Sequence, residues 1–342
     1  MRILVTGGAG FIGSHLVQRL LADEANHMVN LDALKYSGNL DNLLDVADHP
    51  RYRFVHGDIC DAKMVAGVLK DHRIEGIINC AAETHVDRSI LDPSSFARTD
   101  VVGTGVLLEE ARKAKVLRYL QVSTDEVYGS VEHGHSKESD PLDPRSPYAA
   151  SKAGGDLLAL SYWMTYRFPV VITRGSNTYG PSQYPEKFIP LFVTNALEDQ
   201  PLPLYGDGRN RRDWLSVFDH CAAIEHVLRH GEPGTVYNVG GGNEQENLNV
   251  AEAILSHLGK SKSLIRFVED RPGHDRRYAV DCSRARALGW TPVVPFEQGL
   301  RDTIDWYRMH AAWWRKIKSG EFRTYYEQMY RQRLNSGTPC AS

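Results

Sequence analysis

Paired cysteines are missing. The five present (Cys60, Cys80, Cys221, Cys282 and Cys340) are odd in number, far apart and without a CxxC spacing. That excludes a disulfide framework and a cysteine-paired zinc or redox centre, and it fits a reducing cytoplasm. No HExxH pattern occurs among the 14 histidines, so no metal site is expected. Long apolar runs are also missing. Glycines interrupt the N-terminal stretch MRILVTGGAGFIGSHL well short of a bilayer span, and only Arg2 precedes it, so neither a signal peptide nor a membrane helix is expected. Charge never collects in one sign: 40 basic against 43 acidic residues leave a net charge of −3 with no polybasic run. The electrostatic footprint of a nucleic-acid or membrane-surface binder is therefore absent.

What remains is a globular composition, 42% hydrophobic and 24% charged over 342 residues, enough for one large core or two. The first half repeats a short β-branched run, a turn and an amphipathic stretch, the mark of βαβ units. Strands are expected at 2–6, 28–32, 53–56, 76–80, 119–123 and 170–174, with helices near 11–22, 62–70, 94–114 and 148–167. This predicts an α/β fold, a doubly wound parallel sheet of the Rossmann kind. After Asn177, proline and glycine crowd residues 180–208 and the rhythm loosens into a second, smaller mixed α/β lobe. A strand-like 215–217, a helical 219–229 and a strand-like 235–239 resemble the first half again. The expected division is thus 1–176 plus about 213–240 for the sheet domain, 177–212 plus about 241–335 for the lobe, and a frayed tail at 336–342.

Directly after the first strand comes Gly7-Gly8-Ala9-Gly10-Phe11-Ile12-Gly13, a GxxGxxG turn opening a helix. Gly7, Gly10 and Gly13 would let the backbone turn tightly and approach a pyrophosphate, which the helix amides then face. Asp32 ends the next strand, 19 residues after Gly13, where a carboxylate accepts hydrogen bonds from a ribose 2′-hydroxyl and repels a 2′-phosphate. This favours NAD over NADP, although the cation Lys35 stands close by and works the other way. Asp58, after the third strand, sits where an adenine edge would lie, and reads equally well as a turn aspartate. Ala81 and Ala82 are small beside the same dinucleotide, or ordinary packing.

Tyr148 and Lys152 form YxxxK, which places both on one helix face. A tyrosine with a pKa of about 10 needs a depression of roughly three units to act as a base near neutrality, about 4 kcal/mol of electrostatic help. A lysine one turn away and a nicotinamide cation can supply it. Ser123-Thr124 precede Asp125-Glu126 at a strand end. Neighbours on an extended strand face opposite ways, so the two carboxyls can share a pocket only if the chain leaves the strand there. Crowded together, one would stay an acid and the other a base, as a dehydration requires. The same pair also reads as a solvated helix cap.

The chain resembles the extended short-chain dehydrogenase/reductase family and, within it, the dTDP-glucose 4,6-dehydratases. The resemblance rests on TGGAGFIGSH (6–15), AAETHVDRSI (81–90), STDEVYG (123–129), SPYAASKAGGD (146–156), RGSNTYGP (174–181), PEKFIPLF (185–192), GDGRNRRDWLSVFDH (206–220), YNVGGG (237–242) and DRPGHDRRYAVD (270–281). STDEVYG and RPGHDRRY are the specific stretches. It implies that Tyr148 takes the sugar C4 hydroxyl proton with Lys152 and Thr124 assisting, that Glu126 removes the C5 proton, and that Asp125 protonates the departing C6 hydroxyl. It further implies that Phe11, Ile12, Ile59 and Thr99 border an NAD cofactor. Thr84, Asn177, Lys187, Arg212, Asn238, Arg271 and His274 would line the dTDP-glucose lobe, with Arg212 and Arg271 on the diphosphate. A homodimer through the helices 94–114 and 148–167 is implied as well. Asp100 stands where the family usually has asparagine, and Thr178 where a second asparagine is frequent. A nucleotide-sugar 4-epimerase or decarboxylase would share the glycine turn, Asp32 and YxxxK but usually lacks the Asp-Glu pair. A dinucleotide-sensing protein without catalysis would have no need of Tyr148, Lys152, Asp125 and Glu126.

Overall fold

The computed structural model describes residues 1–336 and 338–339. Strands β1 (Arg2–Thr6), β2 (His27–Asp32), β3 (Tyr52–His56), β4 (Gly76–Asn79), β5 (Arg118–Thr124) and β6 (Val170–Gly175) alternate with helices. Three strands then follow outside that rhythm: β7 (Asn177–Tyr179), β8 (Leu202–Tyr205) and β9 (Arg211–Ser216). The chain returns through the helix Val217–His230 to β10 (Thr235–Val239), and ends with β11 (Glu244–Glu246), β12 (Ile265–Val268) and β13 (Thr338–Pro339).

The central sheet has seven strands in the order β10-β6-β5-β4-β1-β2-β3, and every pairing in it is parallel. β4 is buried along its whole length, as expected of a strand covered by helices on both faces. Along β1, Ile3 and Val5 enter one apolar core while Leu4 enters the other, so the period of two distributes the strand between both faces. The chain order reverses between β1 and β4, which opens a crevice at the carboxyl ends of the strands.

A separate apolar core, with Phe192, Leu204, Trp214, Ile254, Ile304 and Trp314, lies under the later helices. Two small sheets flank it, β11-β9-β7 and β13-β12-β8. The strand read near 215 belongs to β9 and pairs with β7 and β11, so the helix and β10 alone carry the chain back to the central sheet. Of the tail read at 336–342, Ser336 ends the last helix and residues 338–339 pair with β12; the others lie outside the described residues.

Two local features position the site. The stretch read as one helix over 94–114 is Pro93–Phe96, a widened i→i+5 turn at Ala97–Gly103 carrying Thr99 and Asp100, then Thr104–Lys113. Such widened turns recur at functional sites because they re-aim side chains. The helix Pro147–Tyr166 starts with proline in its first turn, and Ser146 Oγ accepts from the Ala149 N–H at 3.1 Å. Tyr148 and Lys152 therefore stand in the first turns of a firmly capped helix.

Candidate active site

The glycine turn butts against the chain leaving β4. Gly7 has φ of +66°, and a Cβ there would lie 2.8 Å from Ala81 Cα. A Cβ on Gly13 would lie 2.2 Å from the Gly7 carbonyl oxygen. No side chain fits at either position, so the backbone of the turn stays open to a ligand beside the start of the helix Phe11–Leu21.

Every residue read as bordering the cofactor lines one cleft above this turn: Gly7, Gly10, Phe11, Ile12, Gly13, Asp32, Lys35, Asp58, Ile59, Ala81, Ala82, Thr99, Tyr148 and Lys152. Asp32 Oδ2 accepts from the Ala9 N–H at 2.9 Å and Oδ1 from the Leu34 N–H at 2.8 Å, so this carboxylate braces the turn as well as facing the cleft. Burial raises its pKa against those two bonds. Lys35 Nζ donates to Glu83 Oε1 and to Thr99 Oγ1, each at 2.8 Å. Its charge is matched by Glu83, which removes the free cation that a 2′-phosphate would need and leaves Asp32 to decide the nucleotide. Asp58 Oδ1 accepts from the Cys60 N–H at 2.9 Å, the turn bond that its position also suggested.

Across the cleft, Lys152 is buried and Nζ donates to the Val122 carbonyl at 2.8 Å. Tyr148 bonds Thr124, and the edge of its ring meets Phe96 at 6.2 Å between centroids. The sequence called for a lysine and a nicotinamide cation together to lower the tyrosine pKa; the protein's own groups push it well up, first by burial and then by Glu126, Asp100 and Asp125. The hydroxyl is thus a neutral phenol until positive charge arrives.

Past Thr124 the chain leaves β5 in one tight helical turn, Asp125–Tyr128, ended by Gly129 at φ of +72°. This exit brings Asp125 and Glu126 into the same cleft. Asp125 is 3% exposed, and its Oδ2 has no hydrogen-bond partner among the described residues. Burial, then Glu126 and Asp213, push its pKa well up, which favours the protonated form. Burial raises Glu126 too, but Arg271, Arg212 and Lys187 oppose the shift. Two anions, Glu126 and Asp213, face Asp125 against Arg212, whereas three cations face Glu126 against Asp275, a balance that suits an acid beside a base. Five more buried atoms of cleft residues, Ser123 Oγ, Ser176 Oγ, Asn177 Oδ1, Gln183 Oε1 and His220 Nε2, lack partners among the described residues. Buried polar atoms are normally satisfied, so these mark where polar groups of a ligand belong.

Thr84, Asn177 and Lys187 line the cleft, and Lys187 Nζ donates to the Thr84 carbonyl. Arg212, Arg271 and His274 stand outside its lining, with the two arginines near enough to act on the charge of Glu126. Arg212 lies over the Tyr278 ring at 4.4 Å and donates to the Asp275 carbonyl at 2.9 Å and to His274 Nε2 at 3.0 Å. His274 Nδ1 meets Asp270 at 2.5 Å, and burial with Arg271 and Arg212 pushes the imidazole down to about 4, so it is neutral. Arg271 reaches Asp87 at 3.2 Å.

Asn238 is not brought to the cleft. Its Oδ1 accepts from Tyr128 Oη at 2.8 Å and its Nδ2 donates to the Ser136 carbonyl at 3.0 Å. Arg174 donates to the same Tyr128 Oη at 2.7 Å and to Asp156 at 2.9 Å. Asn238 therefore ends a buried chain of bonds that holds the turn 125–128 from behind. Sequence reasoning passed over Glu83, Asp213 and His220. Asp213 sits within RNRRDW, where a run of charged residues reads as solvated surface.

With Tyr148 and Lys152 facing the glycine turn across one cleft, the protein falls in the class of extended short-chain dehydrogenase/reductases. The family model for GDP-mannose 4,6 dehydratase matches residues 4–303, and the chain belongs to that family. A dTDP-glucose 4,6-dehydratase of Streptomyces niveus is 51% identical over 330 residues, 95% of this chain and 98% of its own length. The crystal structure of DesIV, a dTDP-glucose 4,6-dehydratase of Streptomyces venezuelae with NAD and dTDP bound, matches with a TM-score of 0.91 at 51% identity, covering 93% of this chain and 100% of that one. A UDP-glucose 4-epimerase of Thermus thermophilus in complex with NAD matches with a TM-score of 0.85 at 33% identity, covering 91% and 100%.

Proposed function

We propose that this enzyme converts dTDP-glucose to dTDP-4-dehydro-6-deoxyglucose by removing water across C5 and C6, with NAD as a resident cofactor. The adjacent carboxyls Asp125 and Glu126, in one cleft with opposite electrostatic surroundings, carry the reading. The glycine turn, Asp32 and the neutralised Lys35 fit NAD. When bound, NAD supplies reversible storage for the hydrogen and electron pair taken from C4 and returned at C6.

The chain's own groups move the protons. Tyr148, bonded to Thr124 and one turn from the Lys152 ammonium, takes the proton of the C4 hydroxyl. The resulting ketone acidifies C5–H, and Glu126, kept closer to ionised by three cations, removes that proton. Asp125 gives its proton to the C6 oxygen, which leaves as water, and a proton is returned to C5 from Glu126 as the stored hydrogen comes back at C6. Arg212 and Arg271 supply guanidinium groups beside the base, suited to the oxygens of a diphosphate. A 4-epimerase is the alternative on this fold, but it needs no acid and base for C5 and C6.

Incubation with dTDP-glucose in deuterated water decides between them. The expected product is the 4-dehydro-6-deoxy sugar with deuterium at C5; a galactose product with protium at C5 would sink the dehydratase. We further propose a homodimer in a reducing, cytoplasmic compartment. Val102, Leu157, Met164 and Tyr166 are more than half exposed on the widened turn and the Tyr148 helix, an apolar face suited to a second copy, and the cysteines among the described residues are free. Among those residues no helix is long and apolar enough to cross a membrane. Sedimentation at the mass of two chains is expected, falling to one in Leu157→Lys; a monomer in the unmodified protein contradicts the dimer.

A further inference from the structure

Behind the Tyr148 helix lies a buried carboxyl that the proposed chemistry does not use. Asp100 sits on the widened turn, 3% exposed. Its Oδ1 accepts from the Glu83 N–H at 3.1 Å, and its Oδ2 lies 2.7 Å from Ser151 Oγ. Ser151 Oγ also stands 2.8 Å from the carbonyl oxygen of Tyr148. A serine hydroxyl carries one hydrogen, which cannot serve a carbonyl and a carboxylate together. A proton on Asp100 resolves the geometry: the carboxyl donates to Ser151, and Ser151 donates to the Tyr148 carbonyl. When that proton leaves to solvent, Ser151 must abandon one partner. The approach is close, because a Cβ on Gly155 of the same helix would lie 2.9 Å from the Asp100 carbonyl oxygen.

We propose that Asp100 is a proton-holding positioning residue for the Tyr148–Lys152 pair. As a neutral acid it keeps Ser151 on the backbone of Tyr148; once ionised it draws the serine hydrogen to itself and opposes the field of Lys152 at the Tyr148 hydroxyl. This rests on the reading of Tyr148 as the base at C4. The charged and titratable groups facing Asp100 are Lys152 and Tyr148 from the helix and Glu83 from the segment after β4, itself paired with Lys35. Burial pushes the Asp100 carboxyl up to about 6, while Lys152, Ser151 and the Glu83 N–H hold it down.

The test begins without substrate. In protein labelled with 13C at the aspartate carboxyls, the NMR titration of the unmodified chain minus that of Asp100→Asn isolates Asp100. A midpoint near 6 is expected, and it should shift in Ser151→Ala, where the hydroxyl facing the carboxyl is lost. A midpoint at the ordinary value of about 4, or no response to Ser151→Ala, overturns the proposal. The second reading is the pH profile of turnover. Asparagine copies the neutral acid at every pH, so the acid limb in Asp100→Asn should move down by about one pH unit, up to tenfold in rate at its foot. An unmoved profile with full turnover overturns the link to Tyr148. Absence of turnover in the unmodified enzyme overturns the function instead, while the carboxyl titration still decides the fate of Asp100.

Discussion

Glu126→Gln should lower the turnover of dTDP-glucose by about 10²- to 10⁴-fold, the usual worth of a positioned base, while oxidation at C4 continues. Glutamine keeps the volume and loses the charge. Glu126 is the group that Arg271, Arg212 and Lys187 hold closer to ionised, whereas Asp125 beside it is pushed toward its neutral form. Of the other carboxyls lining the cleft, Asp125 is pushed toward its neutral form, and Asp32 and Asp58 are held at the nucleotide end by the N–H groups of Ala9, Leu34 and Cys60. Reduced nicotinamide absorbance should therefore rise in a single turnover and persist, and deuterium should not enter C5 from deuterated water. The pH dependence follows from the raised pKa of Glu126. The base must be ionised, so the rate of elimination falls as pH drops through that raised value, at a higher pH than for an ordinary glutamate. Normal turnover in Glu126→Gln, or deuterium entering C5 at the unmodified rate, removes this residue from the mechanism.

How far the sequence foretold this site depends on how local each signal is. The glycine turn was legible because a strand, GxxGxxG and a helix are consecutive, and the crowding that demands Gly13 comes from Gly7 six residues earlier. The meeting of Asp125 and Glu126 was legible because it needs only that the chain leave β5 at Thr124, and the carboxyl end of a central strand is where chains do so. Other features belong to partners brought together by packing. Lys35 competes with Asp32 on paper, but Glu83, 48 residues on, takes its charge. Asn238 has the polarity of a ligand residue, yet its partners Tyr128 and Ser136 are supplied by an excursion more than a hundred positions earlier. The widened turn at 97–103 contains no proline, and its last residue is its one glycine, so a helical pattern ran straight through it. The pKa of Tyr148 shows the same limit: the spacing gives the lysine that would lower it together with a nicotinamide cation, but not the burial and the three carboxyls of other segments that push it up.

That upward shift makes Tyr148→Phe the more telling second experiment. The substitution removes one oxygen from a half-buried ring whose edge contact with Phe96 remains, so stability should change by only about 1 kcal/mol, the worth of the lost bond to Thr124. Oxidation at C4, in contrast, should fall by about 10²- to 10⁴-fold, with no reduced nicotinamide accumulating, because the C4 hydroxyl proton has lost its acceptor. The phenol is neutral in the protein alone; a positive nicotinamide and the Lys152 ammonium, held on the Val122 carbonyl, are the charges that can bring its pKa down. Single-turnover absorbance therefore separates the two variants: Glu126→Gln stalls with the cofactor reduced, and Tyr148→Phe stalls with it oxidised. If Tyr148→Phe reduces its cofactor at the unmodified rate, the proton must leave C4 by another route. Thr124 bonds the phenol, but an aliphatic hydroxyl is no base for this proton, so Glu126 would then have to serve both carbons in turn, and Glu126→Gln would lose the first step as well as the second.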